Sequence, residues 1–134
     1  MKRKFIAALA VAALSPIVAG TDSDVGKTFE EICTENGFAT ENYTLTTPDG
    51  YILSLYRIPG TTQYEDTKKP VVLMMHCQDG DMMEWLWNSS EKANALMLVR
   101  AGYDVWLGNN RGNKYSSTHT TLTMDDEAYW DYYQ

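Results

Sequence analysis

The stretch PVVLMMHCQDGDMMEWLW, residues Pro70–Trp87, joins an apolar run directly to a polar turn. The apolar run, Val71–Met75, has the length of a fully buried strand and is too short for a helix. His76–Gly80 follows it as a polar turn that contains a glycine. At the carboxyl end of a strand, such a turn presents free backbone N–H groups, where α/β proteins bind ligands and stabilise anionic intermediates. The stretch therefore predicts the rim of a functional site.

A helix and a second strand are predicted after this rim. Ser90–Arg100 contains helix-forming residues with apolar side chains at helical spacing, and Gly102 follows it. Asp104–Leu107 belongs to a second apolar run, which ends in a turn rich in glycine and asparagine. Strand, helix and strand at these lengths predict a βαβ unit, in which the two strands are parallel and joined right-handedly.

Upstream of the rim, the sequence predicts a short helix and an antiparallel hairpin. Thr28–Asn36 begins with a threonine that a glutamate follows three residues later, which is typical of a capping box, and Gly37 ends the helix. The alternating runs Tyr43–Thr47 and Tyr51–Ile58 flank a Pro-Asp-Gly turn. The predicted fold class is α/β, with this hairpin followed by the βαβ unit. The acidic and aromatic segment Asp125–Gln134 predicts the start of a further helix.

The N-terminus has the pattern of a secretory signal peptide, residues 1–20. Lys2, Arg3 and Lys4 precede the apolar run Phe5–Leu14, and small residues at 18–20 suit signal peptidase. The apolar run is too short to span a bilayer, which takes about 20 residues, so no transmembrane segment is expected. We expect residues 21–134 to enter the secretory pathway and to be secreted or lysosomal.

Charge and length exclude some classes of function. The net charge is −7, and it becomes −10 without the three cationic residues of the signal peptide. Nucleic acids and anionic membranes repel such a chain, whereas neutral apolar substrates do not. Residues 21–134 suffice for one small domain but fall below the roughly 200–250 residues of a complete large α/β enzyme. A parallel sheet of two strands with an attached hairpin would also leave apolar faces uncovered, so the chain is expected to be incomplete as a folding unit.

Two features depend on the oxidising compartment. Cys33 and Cys77 either form one disulfide or remain two separate buried thiols, and the sequence leaves both alternatives open. Asn42 in Asn-Tyr-Thr and Asn88 in Asn-Ser-Ser fit the acceptor pattern for N-glycosylation. Both asparagines are accordingly expected at the surface.

Residues with catalytic potential are few. A serine hydrolase of the α/β type needs Gly-x-Ser-x-Gly, and the stretch with this glycine spacing, Gly108–Gly112, has Asn110 at its centre. His76 fits a role in organising its turn, and His119 lies in a polar loop and is interpreted as structural. Two isolated histidines without cysteine or carboxylate at ligand spacing do not predict a metal site. No cofactor is expected.

The remaining candidates have structural interpretations as well. Cys77 beside His76 suggests a thiol nucleophile, but adjacent residues of an extended chain point to opposite faces, which favours a buried or disulfide-bonded cysteine. An apolar cluster after the turn is expected to pack on the sheet, although it also suits an acyl chain; it comprises Met82, Met83, Trp85 and Trp87. Acidic residues near the C-terminus lack calcium-loop spacing and predict a solvated helix start; they are Asp125, Asp126, Glu127 and Asp131.

Short motifs follow one another in a fixed order along residues 37–131. They are Gly37-Phe38 with Glu41, Thr47–Leu53, Arg57–Pro59, Pro70–Leu73 with His76, Gly80 and Trp85, Ala101–Asn109, Arg111–Asn113, Tyr115-Ser116, His119, Leu122, Asp125-Asp126 and Trp130-Asp131. In this order they resemble the N-terminal part of the acid lipase family, the gastric and lysosomal acid lipases and related steryl-ester hydrolases. The resemblance implies part of an α/β-hydrolase fold. It also implies hydrolysis of neutral lipid esters, such as triacylglycerols or cholesteryl esters, by a Ser, Asp, His triad.

The chain departs from the family pattern at the rim. The family has His-Gly-Leu where this chain has His76-Cys77-Gln78. The resemblance implies that the backbone N–H of Gln78 contributes to an oxyanion hole, and a backbone donor survives a change of side chain. Cys77 replaces a glycine, and its Cβ is expected to restrict the backbone angles that aim this donor.

The resemblance places the nucleophile, the acid and the catalytic histidine beyond Gln134. The chain is therefore interpreted as an N-terminal fragment or truncated member of a secreted or lysosomal acid lipase, without a triad and inactive alone. The alternative is a catalytically inactive secreted module on a hydrolase scaffold, which binds lipid or another partner. A third hypothesis is a cysteine-dependent hydrolase built on Cys77. The oligomeric state is not predicted.

Overall fold

The computed structural model describes residues 24–60 and 69–132 as a mixed α/β fold, the class predicted from the sequence. The predicted signal peptide lies outside these residues. In chain order the elements are α1 (Phe29–Glu35), β1 (Glu41–Thr46), β2 (Tyr51–Ile58), β3 (Val71–Met75), a first 3₁₀ helix (Met82–Leu86), α2 (Asn94–Arg100), β4 (Asp104–Gly108), β5 (Thr118–His119) and a second 3₁₀ helix (Glu127–Trp130).

Helix α1 has the capping box that its sequence predicts. The Glu31 N–H donates to Thr28 Oγ1 at 3.2 Å, and the Thr28 N–H donates to Glu31 Oε2 at 2.8 Å. These two bonds satisfy N–H groups that have no partner inside the helix. The helix ends before Gly37, whose φ of 80° is accessible to glycine at little cost. The predicted helix is confirmed.

The described strands form one mixed sheet in the order β1-β2-β4-β3, with β5 beside β2. β1 and β2 are antiparallel around a turn at residues 47–50, and β4 is antiparallel to β2 but parallel to β3. At Gly50 a Cβ would lie 2.6 Å from Thr120 Oγ1, so only glycine fits this turn. Gly108 lies opposite Met75, whose Sδ would be 2.3 Å from a Cβ there.

One side of the sheet, which we call the inner face, packs against the helices. Alternate residues of neighbouring strands point to it, because Tyr56 pairs with Leu107 and Ile58 with Val105. Phe29 of α1 contacts Tyr56 edge-to-face, with ring centroids 5.2 Å apart. The buried cluster on this side contains Phe29, Ile32, Cys33, Phe38, Tyr56, Ile58, Met82, Leu86, Ala93, Ala95, Leu96, Val99, Val105 and Leu107. The inner face is therefore the core of the described chain.

The opposite side, the outer face, carries the other alternate residues of the same strands. They include Tyr43, Leu45, Leu53, Leu55, Arg57, Val71, Leu73, Met75, Asp104 and Trp106. Val71 is 65% exposed, Leu73 58% and Leu45 56%. The prediction that Val71–Met75 is fully buried is thus wrong. β3 is the edge strand of the described sheet, and only its inward residues contact the helical layer.

A polar network interrupts the outer face. The Arg57 guanidinium donates to both carboxylate oxygens of Asp104 at 2.8 Å and to Glu41 Oε2 at 2.8 Å. It also lies over the Trp106 ring, 5.2 Å from the centroid. These hydrogen bonds hold the pKa of the Asp104 carboxyl below its ordinary value. The network joins β1, β2 and β4 on the side that lacks a helical layer.

Three local predictions need correction. α2 begins at Asn94 and not at Ser90, because residues 89–93 form a turn in which the Ala93 N–H donates to Ser89 O at 2.9 Å. The helix predicted from Asp125 is only the 3₁₀ turn Glu127–Trp130. Cys33 and Cys77 are both free thiols, and Cys77 is exposed where a buried or bridged cysteine is predicted.

Candidate functional site

Two turns meet at one edge of the sheet and form the candidate site. The β3 turn, His76–Asp81, follows strand β3, and the β4 turn, Asn109–Asn113, follows strand β4. Because β3 and β4 are parallel neighbours whose last residues are paired, both turns leave the sheet side by side. This is the place at which open α/β sheets bind ligands.

His76 connects the two turns. Its Nε2 accepts the Asn110 backbone N–H at 2.9 Å, and its Nδ1 lies 2.7 Å from Cys77 O. A neutral imidazole carries one N–H, so the proton is on Nδ1 and donates to the Cys77 carbonyl. The side chain is only 9% exposed. This is the geometry of a histidine that organises a turn.

Two asparagines of the β4 turn complete the connection, and sequence reasoning gave them no role. Asn113 Nδ2 lies 3.2 Å from His76 Nε2 and 3.0 Å from Asn109 Oδ1. The same Asn109 oxygen accepts the Met82 N–H at 3.1 Å. The only signal in the sequence was their place in the motifs Ala101–Asn109 and Arg111–Asn113. They hold the β3 turn against the β4 turn.

Cys77 is restrained by the carboxylate of Glu84. The Cys77 N–H donates to Glu84 Oε2 at 3.1 Å, and its thiol donates to Oε1 at 3.0 Å. The carboxylate beside it raises the pKa of the Cys77 thiol, which disfavours the nucleophilic thiolate. Gly80 leaves room for this carboxylate, because a Cβ on it would lie 1.6 Å from Glu84 Oε1 and displace the Glu84 side chain.

The left-handed position of this turn is Asp79 and not Cys77. Among the described residues other than glycine, only Asp79 has a positive φ, at 61°. An aspartate tolerates that conformation better than most residues do. The restriction expected from the Cβ of Cys77 stays a prediction.

Gln78 follows as the second residue of a tight turn. The Gly80 N–H donates to Cys77 O at 3.2 Å and closes the turn over Gln78 and Asp79. Within the described ranges, the backbone N–H of Gln78 has no hydrogen-bond partner, and the residue is exposed. A free N–H at the carboxyl end of a strand is able to stabilise an oxyanion.

A cavity of about 340 Å³ lies beside these turns. Its lining combines polar turn residues with two aromatic side chains: His76, Asp79, Gly80, Asn110, Arg111, Gly112, Asn113, Trp130 and Tyr132. The Arg111 guanidinium lies 4.4 Å from the centroid of Tyr51 and 5.2 Å from that of Tyr132, and it pairs with Asp49 at 2.5 Å. Its charge is thus already engaged by the protein.

His119 and the cysteines lie apart from this edge. His119 stabilises the hairpin turn, since one ring nitrogen lies 2.8 Å from Asp49 O and the other accepts the N–H groups of Thr121 and Leu122. Cys33 is buried on α1, where burial raises the pKa of its thiol to about 12. No group of three or more metal-ligating side chains occurs among residues 24–60 and 69–132.

The other predicted residues are divided between the core and the surface. Met82 is buried, and Met83 and Trp85 pack against the inner cluster, whereas Trp87 is 71% exposed. Asn42 and Asn88, the candidate glycosylation sites, are both exposed. The acidic residues 125–127 and 131 are also exposed. In the part of the chain that the structure describes, no helix is long and apolar enough to cross a membrane.

Comparison with known proteins gives a consistent result. Residues 29–89 match the family model of a partial alpha/beta-hydrolase lipase region. The chain is 46% identical over 102 residues to human lipase member N, covering 75% of this chain and 26% of that protein. It is 42% identical over 129 residues to lipase lipl-1 of Caenorhabditis elegans, covering 92% and 32%.

A third relative has a name that states its substrate. The chain is 39% identical over 111 residues to human lysosomal acid lipase/cholesteryl ester hydrolase, covering 81% of this chain and 28% of that protein. The chain thus spans about a quarter to a third of the length of these relatives.

Proposed function

This chain is a homologue of the acid lipases over their N-terminal part, and from that premise we propose that it is the N-terminal scaffold of a hydrolase of neutral lipid esters. The observation that carries the proposal is the Gln78 N–H at the end of β3, which has no hydrogen-bond partner among residues 24–60 and 69–132. The β3 turn that presents it is held by His76 and Glu84.

The chemical role of Gln78 follows from ester hydrolysis. Attack of a nucleophile on the ester carbonyl places a negative charge on its oxygen, and a preorganised N–H lowers the energy of that state. Removing one such donor typically costs about 100- to 1,000-fold in rate. No Gly-x-Ser-x-Gly occurs in the 134 residues. In our proposal the chain supplies one oxyanion donor, and the Ser, Asp, His triad is not within it.

The outer face supports the role of a scaffold. Sheets with parallel strands in α/β proteins normally have both faces covered, and a soluble protein rarely exposes a large continuous apolar area. Here Val71, Leu73 and Leu45 are more than half exposed on one face. The proposal accounts for this face as one that the remainder of an α/β-hydrolase fold covers.

The substrates we propose are triacylglycerols or cholesteryl esters. These are neutral, so the strongly negative charge of residues 21–134 does not repel them. Hydrolysis of cholesteryl esters is what one relative's name states for that protein. We expect no cofactor, because ester hydrolysis by a serine nucleophile needs none.

We further propose that residues 1–20 direct residues 21–134 to the secretory pathway, for secretion or for the lysosome. Asn42 and Asn88 are then the candidate glycan acceptors, and their exposure leaves room for a glycan. Expression in a secretory host and digestion with an N-glycosidase tests this. A mass decrease that Asn88→Gln or Asn42→Gln removes supports both parts of the proposal. A chain that stays in the cytosol contradicts the secretory route, and an unchanged mass of a secreted chain excludes the two asparagines as glycan acceptors.

Esterase measurements test the catalytic proposal. The purified chain is expected to show no turnover of a short-chain p-nitrophenyl ester that a serine-directed phosphonate inhibits. Phosphonate-sensitive turnover, with a labelled serine found by mass spectrometry, would contradict it. Sequencing of the endogenous transcript tests whether the residues of the triad are encoded after codon 134. There we expect a reading frame that encodes Gly-x-Ser-x-Gly followed by aspartate and histidine, and a stop directly after codon 134 argues against the proposal.

The exposed apolar face also favours a second candidate, a secreted lipid-binding or interaction module without catalysis. Cooperative unfolding of a soluble monomer favours the module, whereas aggregation or molten behaviour favours the scaffold. The cysteine-dependent hydrolase has less support, because Glu84 keeps the Cys77 thiol protonated. Ester turnover by the purified chain that is lost in a Cys77→Ala variant would support the cysteine-dependent hydrolase.

A further inference from the structure

Two side chains outside Gln78 contact the turn that presents its N–H: His76 Nδ1 lies 2.7 Å from Cys77 O, and Asn113 Nδ2 lies 3.4 Å from Gly80 O. We propose that His76 and Asn113 are positioning residues that fix this N–H in the β3 turn, a role that rests on the proposed function of Gln78 as an oxyanion donor. Neither residue touches the reacting atoms in this proposal. They act through the peptide unit that joins Cys77 to Gln78.

That peptide unit is rigid, so the direction of the Cys77 carbonyl determines the direction of the Gln78 N–H. The Cys77 carbonyl and the Gln78 N–H belong to one planar peptide, and the described chain contains no cis peptide bond. In a trans peptide the C=O and N–H groups point in opposite directions. A side chain that fixes the direction of the Cys77 carbonyl therefore also fixes the direction of the Gln78 N–H.

Two donors meet at this carbonyl, the Gly80 N–H that closes the turn and the His76 side chain, and His76 restrains it because its ring is held at both nitrogens. Nδ1 donates to Cys77 O at 2.7 Å, and Nε2 accepts the Asn110 N–H at 2.9 Å. The Asn110 N–H belongs to the β4 turn, which follows a buried strand. The imidazole thus links the end of β4 to the Cys77–Gln78 peptide through two hydrogen bonds. Only the neutral Nδ1–H tautomer makes both of these bonds.

Asn113 restrains the same turn at its two ends. Its Nδ2 lies 3.2 Å from His76 Nε2 and 3.4 Å from Gly80 O. Its Oδ1 accepts the N–H groups of Tyr115 and Ser116, both at 3.0 Å, so the amide is itself held by the loop that follows. The amide therefore braces residues 76 and 80, on either side of Gln78.

Four side-chain variants separate positioning from general stability. His76→Phe keeps a planar ring but removes both hydrogen bonds. His76→Asn keeps a donor close to the position of Nδ1, and Asn113→Ala removes the brace. His119→Phe is the matched control, because His119 also accepts backbone N–H groups but lies on β5, beside the hairpin turn. We expect a large shift of the Gln78 amide resonance in His76→Phe, smaller shifts in His76→Asn and Asn113→Ala, and none in His119→Phe.

The test is nitrogen-15 NMR on the full chain. In the unmodified protein, long-range proton–nitrogen correlation should show His76 protonated at Nδ1 and unprotonated at Nε2. In His76→Phe the Gln78 and Asn110 amides should both shift and exchange faster with solvent. A proton on Nε2 in the unmodified protein overturns the proposal, as does a Gln78 amide that is unchanged in His76→Phe or that shifts equally in His119→Phe.

The proposal stays testable if one variant fails to fold, and its test is independent of ester turnover. If His76→Phe does not fold, the tautomer in the unmodified chain and the spectrum of His76→Asn still decide the outcome. The readout is the geometry of one peptide and not ester turnover, so its failure is distinguishable from failure of the proposed function.

Discussion

The inner and outer faces of the sheet are built from the same strands, yet they differ in what covers them. Val105 and Leu107 point inward from β4 and are fully buried, whereas Trp106 between them points outward and is only partly buried. On β3 the outward residues Val71 and Leu73 are more than half exposed. The inner face packs on α1 and α2, while on the outer face the described residues form the polar network around Arg57.

The difference shows what strand alternation does and does not determine. Alternation sends successive side chains to opposite faces, but it does not say which face finds a partner. On β3 both sets are apolar, as is typical of a strand covered on both sides. The outer set has no such cover among the described residues. The apolar residues on both faces of β3 are therefore typical of a strand that is covered on both sides, whereas the described residues cover one side.

The largest contrast is expected from matched truncations on the two faces. Leu107→Ala should lower the free energy of unfolding by about 2–5 kcal/mol, because it leaves a cavity in the core. Leu73→Ala removes the same atoms from a 58% exposed side chain and should change it by less than about 0.5 kcal/mol. Urea unfolding followed by tryptophan fluorescence measures both. Equal losses would mean that the outer face is covered in solution.

The second largest effect is expected from the polar network on the outer face. Arg57→Met should cost about 1.5–3 kcal/mol, because it leaves the largely buried Asp104 carboxylate without its charged donor. Lys92→Met is the control, since Lys92 lies exposed in the turn before α2. The same urea measurement applies. A loss in Arg57→Met no greater than that in Lys92→Met would show that the network does not stabilise this face.

The pH dependence of the same pair follows from the direction of the pKa shift. Arg57 holds the pKa of Asp104 below its ordinary value, so the unfolded state binds the proton more readily. The stabilisation is complete above the unfolded value of about 3.9 and is lost as the pH falls below it. The stability advantage of the unmodified chain over Asp104→Asn should therefore shrink below about pH 4. An advantage independent of pH would contradict this assignment.

The smallest effect concerns the helix that covers the inner face. Thr28→Ala removes the side-chain half of the capping box and should cost about 1 kcal/mol. Thr34→Ala is the matched control, because Thr34 is exposed within the same helix and alanine is the better helix former. Thermal unfolding of the two variants checks the difference. A Thr28→Ala variant as stable as Thr34→Ala would mean that α1 does not need its cap.

Features that depend on neighbouring residues were predictable from the sequence. The capping box needs only residues 28 and 31, and the structure confirms it. The α/β class follows from the order of apolar runs and is confirmed as well. Helix α2 was predicted four residues too early, because turn-forming residues 90–93 also have good helix propensity.

Features that depend on distant residues were not predictable. The partners of His76 lie 34 and 37 residues along the chain, at Asn110 and Asn113, and no local pattern shows that distance. The contact of Cys77 with Glu84 likewise follows from the path of a turn. The exposure of β3 depends on what packs over the sheet, which its own five residues do not specify. The strand and turn pattern placed Gln78 at the rim, but its role as an oxyanion donor came from the resemblance alone and remains a proposal.

The difference between the faces is tested most directly by oxidation of neighbouring methionines. Met74 and Met75 are adjacent on β3, but Met74 packs against the inner cluster and Met75 is 43% exposed on the outer face. Dilute hydrogen peroxide oxidises accessible thioethers, and peptide mass spectrometry resolves the two sites. We predict that Met75 oxidises several-fold faster than Met74, with the buried Met82 slowest. Equal protection of Met74 and Met75 in the folded chain would contradict the account of an uncovered outer face.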